Sequence, residues 1–142
     1  MKVQQIMSSP VIHIGAEESV SVAARTLAQY NIGALPVCGE NGQVCGLLTD
    51  RDIVTRCLAA NRQPEKTQVQ EIMTGRVLSV TPDMEVSTAA HFMGRQQVRR
   101  LPVMENGKLC GMLSLGDMAQ REESAYDASD ALGEITSNIS EG

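Results

Sequence analysis

The feature that most constrains this chain is that it repeats itself. Displaced by 66 residues, Ile6-Met7 falls on Ile72-Met73, Val11 on Val77, Val20-Ser21 on Val86-Ser87, Ala23-Ala24 on Ala89-Ala90 and Leu35-Pro36-Val37 on Leu101-Pro102-Val103. One residue is then lost and the displacement becomes 65, so that Asn41-Gly42 meets Asn106-Gly107, Cys45-Gly46 meets Cys110-Gly111 and Asp52 meets Asp117. Chance does not place so many matches in register, so the chain holds two copies of one structural unit. A chain of 142 residues is long enough for two small halves that share one core.

Each copy has the same plan. Val11-Ile12-His13-Ile14 is a short extended segment, echoed by Val77-Leu78-Ser79-Val80. Ser19 then caps a helix whose apolar positions Val20, Ala23, Ala24 and Leu27 keep helical spacing, as do Val86, Ala89, Ala90 and Met93. Pro36 and Pro102 sit inside strand-like runs, which suggests a strand start or edge. Asn-Gly is a strong hairpin signal, so residues 35–38 and 44–48 pair antiparallel. A second helix runs from Asp50 to about residue 60, and its counterpart from Leu115 to about residue 122. The reading is α+β, with two β-α-β-β-α repeats packed as a pseudo-two-fold pair, since one small sheet cannot cover both its faces alone. The boundaries expected are repeat 1 over residues 1–61, a polar linker broken by Pro64 over 62–68, repeat 2 over 69–122 and a tail over 123–142. The tail is acidic and rich in Ser and Ala, and Leu132, Ile135 and Ile139 are only weakly spaced for a helix. It is expected to be flexible, a docked marginal helix being the alternative.

Both copies carry a chemical pattern where a buried strand enters a helix. In Gly46-Leu47-Leu48-Thr49-Asp50-Arg51-Asp52, Thr49 is a good N-cap and Asp52 can reach back to it; Gly111-Met112-Leu113-Ser114-Leu115-Gly116-Asp117 repeats the grammar. A hydroxyl, free backbone N–H groups and a helix N-terminus suit an anion, and a carboxylate beside them can accept hydrogen bonds from sugar hydroxyls. The same residues also serve simply as helix caps, and duplication of a cap would preserve them equally well.

Composition removes other classes. The net charge is −5 and no basic stripe interleaves with aromatics, which argues against nucleic-acid binding. With one Phe, two Tyr and no Trp, the core must be aliphatic. Polar residues interrupt the first seven positions, and no run approaches the roughly 20 apolar residues of a membrane helix, so no membrane partner and a cytoplasmic location are expected. Cys38, Cys45, Cys57 and Cys110 form no Cys-x-x-Cys pair, and His13 and His91 lie far from them in sequence, so reduced thiols and no metal are expected. Cys38 and Cys45 flank the Asn41-Gly42 turn and could lie opposite each other. No Ser/His/Asp set or metal cluster is evident, so no catalysis is expected.

The tandem units, Leu-Pro-Val ahead of an Asn-Gly hairpin, and Gly-Leu-Leu-Thr-Asp-Arg-Asp together resemble CBS domains, over about residues 3–120. A pair of these is a Bateman module. The resemblance implies two clefts that bind adenosine compounds such as AMP, ADP, ATP or S-adenosylmethionine, with no resident cofactor. It also implies a homodimer and regulation of a separate effector protein of unknown identity. Carried over residue by residue, one cleft uses Thr49, Arg51 and Asp52 against Thr74, Val77 and Leu78, with Val98 near its base. The other uses Ser114 and Asp117 with Arg99 and Arg100, against Ser8, Val11, Ile12, Ile32 and Gly33. In the first cleft Asp52 would take the ribose hydroxyls, while Thr49 and the helix N-terminus would face phosphate; in the second, Arg99 and Arg100 would lie near the phosphates. The copies differ: Gly33-Ala34 stands where the other has Arg99-Arg100, and Leu115-Gly116 where the first has Asp50-Arg51. Unequal affinities follow, with the Ser114/Asp117 cleft the better phosphate site. A ligand-free dimerisation or protein-interaction module is the alternative.

Overall fold

The computed structural model describes the backbone of residues 1–9 and 11–141, with side chains placed to residue 137. The chain divides into two compact units that do not follow the repeat boundaries. One is continuous, Ile12–Val77. The other is built of two pieces, Met1–Val11 and Leu78–Gly142. The opening residues of each repeat thus belong with the hairpin of the other repeat.

In the continuous unit, β1 (Ile14–Gly15) runs parallel to β2 (Ala34–Cys38), which pairs antiparallel with β3 (Val44–Thr49). Thr74 adds one antiparallel pair beyond β3, its N–H and carbonyl both bonded to Leu47 at 2.9 and 3.0 Å. Helix α1 (Val20–Tyr30) starts at Ser19, whose hydroxyl accepts the Val22 N–H at 3.2 Å. Its stripe of Val20, Ala23 and Leu27 packs with Leu35, Val37, Leu48, Ile53 and Ile72. Burying such a stripe, at about 25 cal/mol per Å² of apolar area, is what holds so small a helix in place.

The two-piece unit repeats this plan with β4 (Arg100–Glu105), β5 (Lys108–Ser114) and α3 (Val86–Gln96). Val80 pairs parallel with Val103 on one side of the hairpin. On the other side Ser8 pairs antiparallel with Met112, with N–H to carbonyl distances of 2.8 and 3.1 Å. Val3 and Ile6 are buried among Met93, Leu101, Leu113 and Met118.

Pro36 sits in the middle of β2, the central strand of its sheet, rather than at a strand start or edge, and Pro102 sits in the middle of β4, in a two-stranded sheet. The register explains it. Pro36 faces Leu47 and Pro102 faces Met112, and the N–H groups of Leu47 and Met112 turn away, to Thr74 and Ser8. Each proline therefore occupies a pair that needs no N–H from it.

Several expected elements change. The extended segments shrink to Ile14–Gly15 in one copy and the single pair at Val80 in the other. The second helix begins as α2 (Asp50–Asp52) and continues as a π-helical run over Ile53–Leu58. Its counterpart α4 stops early, at Leu115–Ala119. A further helix, α5 (Glu122–Glu141), occupies the tail that was expected to be flexible. Ser124, Ala128, Ala131 and Ile135 form its buried stripe, packed on α3 and α4, and the Ser124 hydroxyl donates to the Met118 carbonyl at 2.7 Å. Alanine favours helix and lets helices approach closely, so a stripe of small residues packs where a search for large apolar residues finds little. Ile139 lies outside the residues with described side chains.

Glu85 stands at the α3 start where the other copy has the Ser19 cap, and its side chain makes no cap bond. It pairs instead with Lys2 at 2.8 Å. The Lys2 ammonium holds the Glu85 carboxyl below the usual carboxylate range, first by hydrogen bonding and then by charge. A carboxyl lowered in the folded state contributes stability above its unfolded pKa and loses it as pH falls through its folded value. Glu85→Gln should therefore lower stability slightly at neutral pH, since exposed pairs contribute little, and converge on wild type as pH falls through the folded value, so that a thermal stability profile against pH loses part of its acid slope.

Candidate functional site

At the β3–α2 junction the strand delivers Thr49 with extended backbone into the first helical turn. The Asp52 N–H donates to Thr49 Oγ1 at 3.1 Å, and Asp52 Oδ2 accepts the Thr49 N–H at 3.0 Å. The β5–α4 junction is built alike. The Asp117 N–H donates to Ser114 Oγ at 3.0 Å, and Asp117 Oδ2 accepts the Ser114 N–H at 3.2 Å. Both are capping boxes, so the structural role of the motif is real. Each uses only part of the carboxylate's capacity to accept, and the rest of that capacity separates the two copies.

Asp52 is buried, at 8% exposure, and its Oδ1 faces Arg56 Nε at 3.9 Å. The Arg56 guanidinium also reaches the carbonyls of Ile72 and Met73, at 3.1 and 3.3 Å. Asp117 is half-buried, and among the described residues no ion pair joins it to Arg121, the repeat counterpart of Arg56. The outer oxygen of Asp117 is thus less committed than that of Asp52.

Backbone geometry sets the cations. The Asp50 N–H donates to the Gly33 carbonyl at 3.1 Å, and Ala34 pairs with Thr49. In the other unit the Leu115 N–H donates to the Arg99 carbonyl at 3.1 Å, and Arg100 pairs with Ser114. The positions are equivalent, so one junction is flanked by two guanidiniums and the other by Gly33-Ala34. Arg99 is exposed and Arg100 half-buried.

Arg99, Arg100 and Ser114 line an open groove of about 500 Å³, floored by Leu115, Gly116 and Ala119. Its far wall is α5, through Ala125, Ala128, Ser129 and Leu132. Sequence reasoning missed this wall, although the spacing of those residues over two helical turns was there to be found.

Of the expected residues, the continuous unit holds Ile12, Ile32, Gly33, Thr49, Arg51, Asp52, Thr74 and Val77. The two-piece unit holds Ser8, Val11, Leu78, Val98, Arg99, Arg100, Ser114 and Asp117. Thr74 is one residue-pair from the first junction through Leu47, and Ser8 is likewise tied to the second through Met112. Arg51 is exposed, as are Ile32 and Val77, at 36% and 40%. Among the described residues no three His, Cys, Asp or Glu side chains are grouped to hold a metal ion, and no helix is long and apolar enough to cross a membrane.

Comparison with known proteins gives one consistent result. The CBS domain family matches residues 3–59 and again 69–123. A CBS domain-containing protein of Bacillus subtilis, YhcV, is 36% identical over 134 residues, 94% of each chain. Hypoxic response protein 1 of Mycobacterium tuberculosis is 33% identical over 82% of each. Among solved structures, that of Hypoxic Response Protein I with two coordinated zinc ions has a TM-score of 0.78 at 32% identity, covering 85% of this chain and 98% of that one. The CBS domain pair of protein MJ0100, in complex with 5'-methylthioadenosine and S-adenosyl-L-methionine, has a TM-score of 0.77 at 30% identity, covering 84% and 94%.

Proposed function

Because this chain belongs to the CBS domain family, as a tandem pair that makes up most of its length, we propose that it is a regulatory module that binds adenosine compounds and acts on a separate effector protein. CBS pairs are regulatory rather than catalytic modules as a class, and the pair of MJ0100 was solved in complex with two adenosine compounds. The observation that carries the reading is the doubled hydroxyl–carboxylate junction. Each junction has a carboxylate with accepting capacity left after its cap is made, beside a Thr or Ser hydroxyl.

Two sites of unequal strength follow. One is centred on Ser114 and Asp117, with Arg99 and Arg100 for phosphate and Ser8 and Val11 in the same unit. Asp117 takes the ribose hydroxyls there, because among the described residues no arginine pairs with its outer oxygen. The other is centred on Thr49, Arg51 and Asp52, with Thr74 and Val77 in the same unit. It holds phosphate less well, since its only motif cation is the exposed Arg51 and Arg56 already engages Asp52. AMP, ADP, ATP and S-adenosylmethionine are the candidate ligands, the protein works as a homodimer, and its compartment is the cytoplasm.

A thermal-shift screen tests the reading, with those four compounds, NAD and guanosine nucleotides, each with and without magnesium. A ligand that binds only the folded state raises the melting temperature by mass action, by about 2.7 kcal/mol of stability at a hundredfold excess over Kd. A rise confined to adenosine compounds supports the proposal. Flat curves at millimolar ligand favour the ligand-free interaction module.

A further inference from the structure

We propose that Cys38 and Cys45 are a redox pair, two thiols side by side on one hairpin face that close to an intrachain disulfide on exposure to a low-molecular-weight disulfide such as glutathione disulfide. The register carries the argument. Val37 pairs with Gly46, so the next residue along each strand is Cys38 on β2 and Cys45 on β3. Side chains alternate across a strand, so both cysteines share the face opposite that of Leu35, Val37 and Leu48, which are fully buried. The pairing then shifts between Val37 and Cys38, a bulge that sets Val44 opposite Cys38 and leaves Cys45 beside them. In such a bulge two residues of one strand oppose one of the other, so Val44 and Cys45 together face Cys38, across a strand spacing of about 4.7–4.9 Å that is comparable to the roughly 4.4–6.8 Å a disulfide spans between Cα atoms.

Access and proximity agree with the register. Both thiols are half-buried and line one open groove of about 450 Å³, with Gly15, Ala16, Glu18 and Gln70. Burial, and then the neighbouring Cys45 thiol, push the Cys38 thiol above its ordinary range. The second repeat is an internal control. There Val103 pairs with Gly111, and the next residues are Met104 and Cys110, in the same bulge. Cys110 has a thioether for its neighbour and gives its own S–H to the Val103 carbonyl at 3.2 Å. Cys57 is fully buried and bonded to the Arg62 carbonyl.

The chemistry closes without another reactant. One protein thiolate attacks a sulfur of glutathione disulfide, forming a mixed disulfide and expelling one glutathione thiolate. The second protein thiolate attacks the protein sulfur of that mixed disulfide, forming the Cys38–Cys45 bond and expelling the other glutathione. Two protein thiols are oxidised by two electrons, one glutathione disulfide is reduced to two glutathiones, and the two thiol protons pass to them.

The test equilibrates the full chain with graded mixtures of reduced and oxidised glutathione, quenches with acid, alkylates, and maps peptides by mass. Wild type should lose two of its four thiols, become lighter by two hydrogens and yield a Cys38–Cys45 cross-linked peptide. Cys38→Ser and Cys45→Ser, checked for unchanged circular dichroism, should each stop at one added glutathionyl group. Four free thiols at the oxidising end overturn the proposal. So does a disulfide that joins other cysteines or two chains. The wild-type map decides this even where a serine variant folds poorly.

Discussion

A Gly46→Val variant should lose about 3 kcal/mol of stability, and Gly111→Val about 2 kcal/mol, the range expected of overpacking at a site that cannot yield. A Cβ at Gly46 would lie 2.5 Å from Met73 Sδ and 2.9 Å from the Thr74 carbonyl oxygen. The thioether can swing aside, but the carbonyl cannot, because it accepts the Leu47 N–H at 3.0 Å while the Thr74 N–H donates back at 2.9 Å. At Gly111 the same contacts are Met7 Sδ at 2.5 Å and the Ser8 carbonyl at 3.1 Å, so slightly more room remains. Urea denaturation with an unchanged slope and a lowered midpoint would give the numbers. Two variants within 0.5 kcal/mol of wild type, as ordinary surface changes are, would mean that the segments carrying Met7 and Met73 do not pack on these strands.

Removal of residues 1–9 should destabilise the second repeat and spare the first. Val3 is fully buried and Ile6 nearly so, both inside the cluster built on Val80, Met93, Leu101 and Leu113. Losing one such aliphatic side chain costs about 2–5 kcal/mol, against a total stability of about 5–15 kcal/mol for a typical domain. The backbone loses its bonds as well. Val3 N–H donates to the Met84 carbonyl, and Ser8 pairs with Met112 through both its backbone groups. Hydrogen exchange should then show rapid loss of protection at Met112 and along β4–β5, while β2–β3 stay protected. Loss of protection in β2–β3 first would contradict the exchange of segments between repeats.

These two predictions also mark where the sequence runs out. The doubled hairpins, the Ser19 cap and both hydroxyl–carboxylate junctions were legible, because each rests on contacts within a few residues. Which copy Met7 packs on was not. Both copies carry the same Met and the same Gly, so Met7 satisfies Gly46 and Gly111 equally on paper, and only the folded chain chooses Gly111. The docking of α5 was hidden for a different reason: its buried stripe of Ser124, Ala128, Ala131 and Ile135 is mostly alanine and serine, which carry little hydrophobic signal. The difference between the carboxylates was half legible. Arg56 lies one helical turn after Asp52, yet Arg121 keeps the same spacing from Asp117 without pairing to it, because α4 ends at Ala119.

The most direct test of the account is a calorimetric titration of AMP, ATP and S-adenosylmethionine into wild type and into an Asp52→Ala/Asp117→Ala double variant. Loss of each carboxylate's bond back to the N-cap N–H should cost about 1 kcal/mol of stability, so folding of the variant is checked first. The account predicts saturable binding of at least one of these compounds to wild type, weakened tenfold or more in the double variant, about 1.4 kcal/mol. Equal affinity in the two folded proteins, or no binding to wild type at millimolar ligand, would contradict it.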